Sequence, residues 1–192
     1  EVDTRQILLA ESRPTNQTQP NYRWIDYAKP GDALAQNTPA LFNVETKKQV
    51  PFDASSFNNQ YSLYFSAWSP DSRYAIFHYN QRGHQVYQIV AINTETGEYR
   101  ALVDERSNTF IYYNDIVTSY IEGGNRLLFT SERDNWRHLY TVDIATGNVK
   151  QITKGDWNVR EILHLDEEQG IILCYANGLK AKEERGNVAP GT

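Results

Sequence analysis

The chain has 192 residues, a net charge of −5, 40% apolar and 12% aromatic residues, one cysteine and no methionine. That apolar content excludes a disordered chain, the scattered charges leave no basic stripe for a nucleic-acid partner, and no apolar run approaches the roughly 20 residues of a membrane span. A single cysteine excludes an intrachain disulfide, and a chain that starts at Glu1 is expected to be a processed product or a piece of a longer protein.

In chain order, the first expected strands are Gln6 to Ala10 and Arg23 to Tyr27. Between them the polar stretch Glu11 to Asn21, with Pro14 and Pro20, reads as a long loop. It contains Asn16-Gln17-Thr18, which has N-glycosylation spacing. Next come three similar segments, Leu41 to Lys48, Ala91 to Glu98 and Thr141 to Asn148. Asn43, Asn93 and Asp143 recur at one spacing, as do Thr46, Thr96 and Thr146. Each segment is an alternating strand running into a turn. Gly97 and Gly147 supply the positive φ a tight hairpin needs, whereas Lys47 is expected to require another turn type. Return strands follow at Gln49 to Phe52, Tyr99 to Val103 and Val149 to Thr153.

The register extends upstream of each turn. Ser66-Ala67-Trp68, the turn Ser69 to Ser72, Arg73 to Tyr79 and Gln85 to Asn93 form one series. Ser119 to Ile121, the turn Glu122 to Asn125, Arg126 to Thr130 and Arg137 to Asp143 form the next. Repeats of roughly 40–50 residues with four antiparallel strands are the mark of β-propeller blades. The expected fold is therefore all-β: an incomplete propeller of about three to four blades. The expected units are 6–53, 66–103, 118–153 and an incomplete 159–180, within a partial propeller 1–180, and 181–192 reads as a solvated tail. No long amphipathic helix is expected.

Few residues invite chemistry. No Gly-x-Ser-x-Gly elbow is present, and Ser69 precedes Pro70 in a turn, so no catalytic residue is expected. His78, His84, His138 and His164 are dispersed without metal-ligand spacing, so no metal or cofactor is expected. His138 reads as structural, and Cys174 as a small apolar core residue. In a four-stranded meander the turns alternate between two faces. Pro70-Asp71 and the Glu-Thr-Gly turns share one face. Gln81 to His84, Glu132 to Trp136 and the link Phe110 to Asn114 share the other, which collects aromatics and arginines.

Ser131-Glu132-Arg133-Asp134-Asn135-Trp136-Arg137-His138-Leu139-Tyr140, followed by Thr153-Lys154-Gly155-Asp156-Trp157-Asn158-Val159, resembles the propeller of dipeptidyl peptidase IV-like proteins in the prolyl oligopeptidase clan of serine peptidases. Asn135 stands where that family favours glycine, tolerable because asparagine also visits the left-handed region. Tyr27 to Asp32 and Trp68 to Asp71 add weaker matches. The resemblance implies a non-catalytic propeller portion that gates access and shapes a peptide-binding pocket, with catalysis in a separate hydrolase domain. It implies a peptide substrate, a periplasmic or extracellular location and a homo-oligomer. It makes Tyr112 and Tyr113 the candidate substrate contacts, against the reading that they plug the gap between blades. The family's paired substrate-anchoring glutamates have no counterpart in Glu167-Glu168 or Glu183-Glu184, which lack the preceding Asp-Trp. The alternative is a stand-alone TolB-like or WD40-like propeller serving as a protein-interaction module.

Overall fold

The structure, a computed structural model, describes residues 5–179. The expected tail 181–192 and Glu183-Glu184 lie outside the described residues. Two compact units are present, one up to Asn37 and one from Thr38. The first holds a hairpin, β1 (Gln6–Glu11) with β2 (Asn21–Asp26), in the register Leu8↔Trp24 and Ala10↔Tyr22. The stretch read as a long loop is the connection of this hairpin.

The second unit begins with another hairpin, β3 (Leu41–Asn43) and β4 (Lys48–Val50). A four-stranded antiparallel sheet follows: β5 (Gln60–Trp68), β6 (Tyr74–Gln81), β7 (Val86–Asn93) and β8 (Tyr99–Arg106). A second such sheet contains β9 (Thr118–Ile121), β10 (Arg126–Ser131), β11 (His138–Asp143) and β12 (Val149–Gln151). A last hairpin pairs β13 (Asn158–Asp166) with β14 (Ile171–Asn177). The only helical turns among the described residues are short 3₁₀ segments, such as Ala54–Phe57. This is an all-β fold with four-stranded meander blades, and none of the described sheets closes on itself.

The expected first unit, 6–53, differs from this. Its four strands form two two-stranded hairpins, β1–β2 in the first compact unit and β3–β4 in the second. The intervening 27–40 carries Pro30, Gly31 and Pro39 and holds no strand, as expected where proline removes ladder donors.

Strand alternation explains how the second unit stacks. Along β6, Ala75, Phe77 and Tyr79 join a cluster with Leu41, Val50, Phe57 and Leu63. Ile76 points the other way, into a cluster with Leu127, Phe129 and Val142 of the next blade. On β10 the same division sends Leu128 toward Leu139 and Val159. Each blade therefore buries both faces, one on the sheet before it and one on the sheet after it. This is why β6, β7 and β10 read as near-continuous apolar runs.

The repeated Asn/Asp positions have a definite task. The Asn43 side chain accepts from Thr46 N at 2.8 Å, Asn93 from Glu95 N and Thr96 N at 2.9 and 3.0 Å, and Asp143 from Thr146 N at 2.7 Å. These are Asx turns, which hold the chain bent while the next strand returns. The left-handed residue that completes each turn is Lys47 (φ 56°), Gly97 (φ 74°) and Gly147 (φ 78°). Lys47 does not use another turn type, contrary to expectation. The Asx bond imposes the same geometry, and lysine tolerates it at a cost. Asn135 is also left-handed, at φ 71°, as its replacement of glycine implied.

The Thr-Lys-Gly-x-Trp motif is a packing lock. His138 is fully buried. Its Nε2 lies 2.9 Å from the Gly155 carbonyl and its Nδ1 lies 3.0 Å from the Thr153 hydroxyl. A carbonyl can only accept, so Nε2 carries the proton and Nδ1 accepts from Thr153. Trp157 meets the imidazole edge to face at 5.0 Å, and its indole donates to the Lys154 carbonyl at 3.0 Å. His138 is thus structural, its two nitrogens used to pin the start of the following strand.

Candidate functional site

The link from β8 to β9 runs between the two blades, and both of its ends are pinned. Near its start, Ile111 N donates to the His84 carbonyl at 2.7 Å. Tyr113 stacks on the His84 ring at 4.7 Å and donates from its hydroxyl to that of Tyr61 at 3.2 Å. That hydrogen bond raises the Tyr113 pKa, with a smaller contribution from burial. His84 is held by Asn80, whose side-chain oxygen accepts from Nδ1 at 3.1 Å, and is flanked by Phe110 at 5.3 Å. At the other end, Asp115 accepts from Arg137 Nη1 at 2.9 Å, and the Asp115 carbonyl accepts from Arg137 Nη2. Arg137 itself is only 5% exposed.

Between these anchors stands Tyr112, 56% exposed and with no side-chain partner among the described residues. It lines a cavity of about 180 Å³ together with Phe110, Asp115, Arg137, Arg133 and Glu105. The far wall is a second ion pair: Arg133 Nη2 lies 2.5 Å from Glu105, and Ser131 donates to the same carboxylate at 2.8 Å. The Arg133 guanidinium lies over the rings of Phe129 and Tyr140, at 5.3 and 4.9 Å. The cavity therefore offers an aromatic lip, hydrogen-bond donors and acceptors, two internal ion pairs, and the further charged side chains of Arg106 and Glu132 at its edge. Such a wall can both donate hydrogen bonds to a ligand and accept them from it.

The other sequence candidates fall elsewhere. Ser69 donates to Asp71 at 2.7 Å and accepts from Tyr74 N at 2.9 Å, so it caps a turn. The Ser69 hydroxyl bond, followed by the Arg73 guanidinium and backbone N–H, holds the exposed Asp71 down to a pKa of about 2. His78 is buried on β6, 2.7 Å from the Tyr87 hydroxyl, and burial lowers its pKa to about 4. Glu167 sits in the β13–β14 turn, where its carboxylate accepts from Glu122 N at 2.5 Å. Cys174 is partly buried against the Leu128–Leu139–Val159 cluster. Among the described residues no group of His, Cys, Asp and Glu could hold a metal.

The link Phe110 to Asn114 and the Glu132–Arg133 turn line the cavity together, and the turn at His84 holds the link from behind through Phe110, Ile111 and Tyr113. On the opposite side, Thr94 donates to the Ser72 carbonyl at 2.9 Å, joining the Pro70-Asp71 and Glu-Thr-Gly turns. Sequence reasoning missed Glu105, Asp115 and Arg137. Each is one charged residue at a strand end or in a link, and only the fold pairs them.

Consecutive four-stranded antiparallel meanders stacked face to face are the blades of a β-propeller. The family model for the dipeptidyl peptidase IV N-terminal region matches residues 1–185. The chain belongs to that family. It is 25% identical over 167 residues to "Probable dipeptidyl peptidase 4" of Aspergillus flavus, covering 80% of this chain and 21% of the relative. The crystal structure of Porphyromonas gingivalis dipeptidyl peptidase 4 shares the fold, with a TM-score of 0.59 at 17% identity, over 90% of this chain and 24% of that one. TolB from Acinetobacter baumannii aligns over 53% of this chain and 24% of its own, at 20% identity and a TM-score of 0.34, a likeness that carries no weight. The chain thus spans about a fifth of the curated relative's length and a quarter of the solved one's.

Proposed function

We propose that this chain is the non-catalytic propeller portion of a dipeptidyl peptidase IV-like serine exopeptidase, and that the link Phe110 to Asn114 borders the pocket where the peptide sits. One observation carries the reading. Tyr112 is an exposed aromatic, held between two anchored neighbours, at the lip of a cavity whose walls can donate to and accept from a peptide backbone. Exposed aromatics on a rigid support are the usual anchors of recognition. Tyr113 differs: its ring is committed to His84 and its hydroxyl to Tyr61, so its part is to hold the link. In this role the propeller shapes the pocket and gates entry, while a hydrolase domain elsewhere in the parent cleaves the peptide. A periplasmic or extracellular location goes with this reading.

The test is single alanine replacement in the full-length parent, assayed with an X-Pro dipeptide substrate. Tyr112→Ala should lower kcat/KM about tenfold, close to 1.4 kcal/mol of lost binding, with an unchanged melting temperature. Tyr113→Ala should instead lower the melting temperature. Wild-type kcat/KM in Tyr112→Ala would refute the assignment.

A further inference from the structure

The Arg137–Asp115 pair has no evident duty in the blade core. Arg137 follows the β10–β11 turn, directly before β11, and its side chain reaches back to the link. Its guanidinium is buried, yet it bonds to one residue only in the hydrogen bonds described, using the Asp115 carboxylate and carbonyl together. A two-point grip by a planar guanidinium fixes orientation as well as distance. Three residues upstream, Tyr112 leads directly into the short 3₁₀ turn Tyr113–Asp115, whose last residue is the one gripped. Thr130 adds a second hold just beyond, its hydroxyl accepting from Val117 N at 2.9 Å. The backbone around Tyr112 is therefore set from the β6–β7 turn on one side and from the β10–β11 blade on the other.

We propose that Arg137 is a positioning residue: through Asp115 it fixes the 3₁₀ turn that presents Tyr112 to the pocket, and so sets affinity for the peptide without touching it. This rests on the reading of Tyr112 as a pocket residue. Asp115 is the gentler point of attack, since its side chain is 42% exposed whereas that of Arg137 is 6% exposed. Asp115→Asn keeps the backbone carbonyl and one acceptor while removing the charge, and Arg137→Lys keeps the charge but not the two-point grip.

The experiment uses the full-length parent and measures kcat and KM separately for wild type, Asp115→Asn, Arg137→Lys, Tyr112→Ala and the Asp115→Asn/Tyr112→Ala double variant, each with its melting temperature. Positioning predicts that Asp115→Asn raises KM about fivefold with kcat retained, and adds nothing further once Tyr112 is alanine, because an effect routed through Tyr112 disappears with it. Arg137→Lys should behave alike if it folds; Asp115→Asn decides the matter if it does not. A lowered melting temperature with unchanged KM in Asp115→Asn, while Tyr112→Ala raises KM, overturns the positioning role and leaves the pocket reading standing. Unchanged KM in Tyr112→Ala overturns both. Fully multiplicative effects in the double variant show independent action and also overturn the proposal.

Discussion

The three Asx turns form an experiment that the repeat itself has set up, because one backbone conformation is occupied by Lys47, Gly97 and Gly147. Adding a methyl at Gly147 meets only the Arg100 side chain, at 3.7 Å, which is ordinary contact. Gly147→Ala should therefore cost only the left-handed penalty of an L-residue, about 1 kcal/mol. At Gly97 the same methyl would lie 2.8 Å from the Pro51 carbonyl carbon and overlap its oxygen. That obstacle is backbone, following β4, and cannot rotate aside as a side chain would. Moving it adds an overpacking cost of about 1–3 kcal/mol, so Gly97→Ala should lose roughly 3 kcal/mol. Lys47→Gly runs the comparison in reverse: relief of the penalty is partly offset by the greater freedom of glycine in the unfolded chain, leaving a gain of about 0.5 kcal/mol. Urea unfolding followed by tryptophan fluorescence measures all three. Equal losses for Gly97→Ala and Gly147→Ala would show that β4 gives way freely, and a loss in Lys47→Gly would show that lysine makes contacts outweighing its strain. Either result refutes the reasoning.

Two further outcomes follow from the structure. His78 is neutral in the fold, with a pKa of about 4 against 6.5 in the unfolded chain; its folded value is lowered, so between those limits the unfolded state binds the extra proton and stability declines as pH falls from about 6.5 toward 4, by about 3 kcal/mol in all. Replacing it, as His78→Gln, should flatten that part of the stability–pH curve measured by urea unfolding, and an unchanged slope would assign the pH dependence elsewhere. The β1–β2 hairpin carries Leu8, Trp24 and Tyr22 on one face, at 48%, 64% and 64% exposure, and such an apolar strip recruits a second chain. At micromolar concentration the chain should sediment as a dimer or larger, shifting toward monomer in Trp24→Ser; a monomeric wild type removes the basis for homo-oligomerisation through this face.

The blades were legible because their signals are local and repeated. Asn43, Asn93 and Asp143 each make the same short-range bond to a backbone nitrogen two or three residues on, so a fixed spacing in sequence translates into a fixed turn in space. The first four strands form two hairpins, which the sequence does not distinguish from a four-stranded unit. Nothing local in the sequence distinguishes two hairpins from one meander when the stretch between them, 27–40, holds no strand.

The site was legible only in part, and for the opposite physical reason. That the 110–114 link lies beside both the His84 turn and the Glu132–Arg133 turn follows from meander topology alone, because the turns of a four-stranded sheet alternate between its ends. Which of two adjacent tyrosines faces outward does not follow, since Tyr112 and Tyr113 have identical chemistry. Their roles are divided by partners far away in sequence: His84 and Tyr61 capture Tyr113, while Arg137 grips Asp115 and leaves Tyr112 at the lip. Arg137 and His138 are neighbours in one motif, Arg137 just before β11 and His138 at its start, and they serve different tasks. His138 turns inward to lock the next strand through Gly155 and Thr153, and Arg137 reaches back to the link before the blade. A motif with two buried polar residues side by side is thus best understood as joining three consecutive pieces of chain. Its importance to the fold does not decide its importance to the pocket; the KM of Asp115→Asn does.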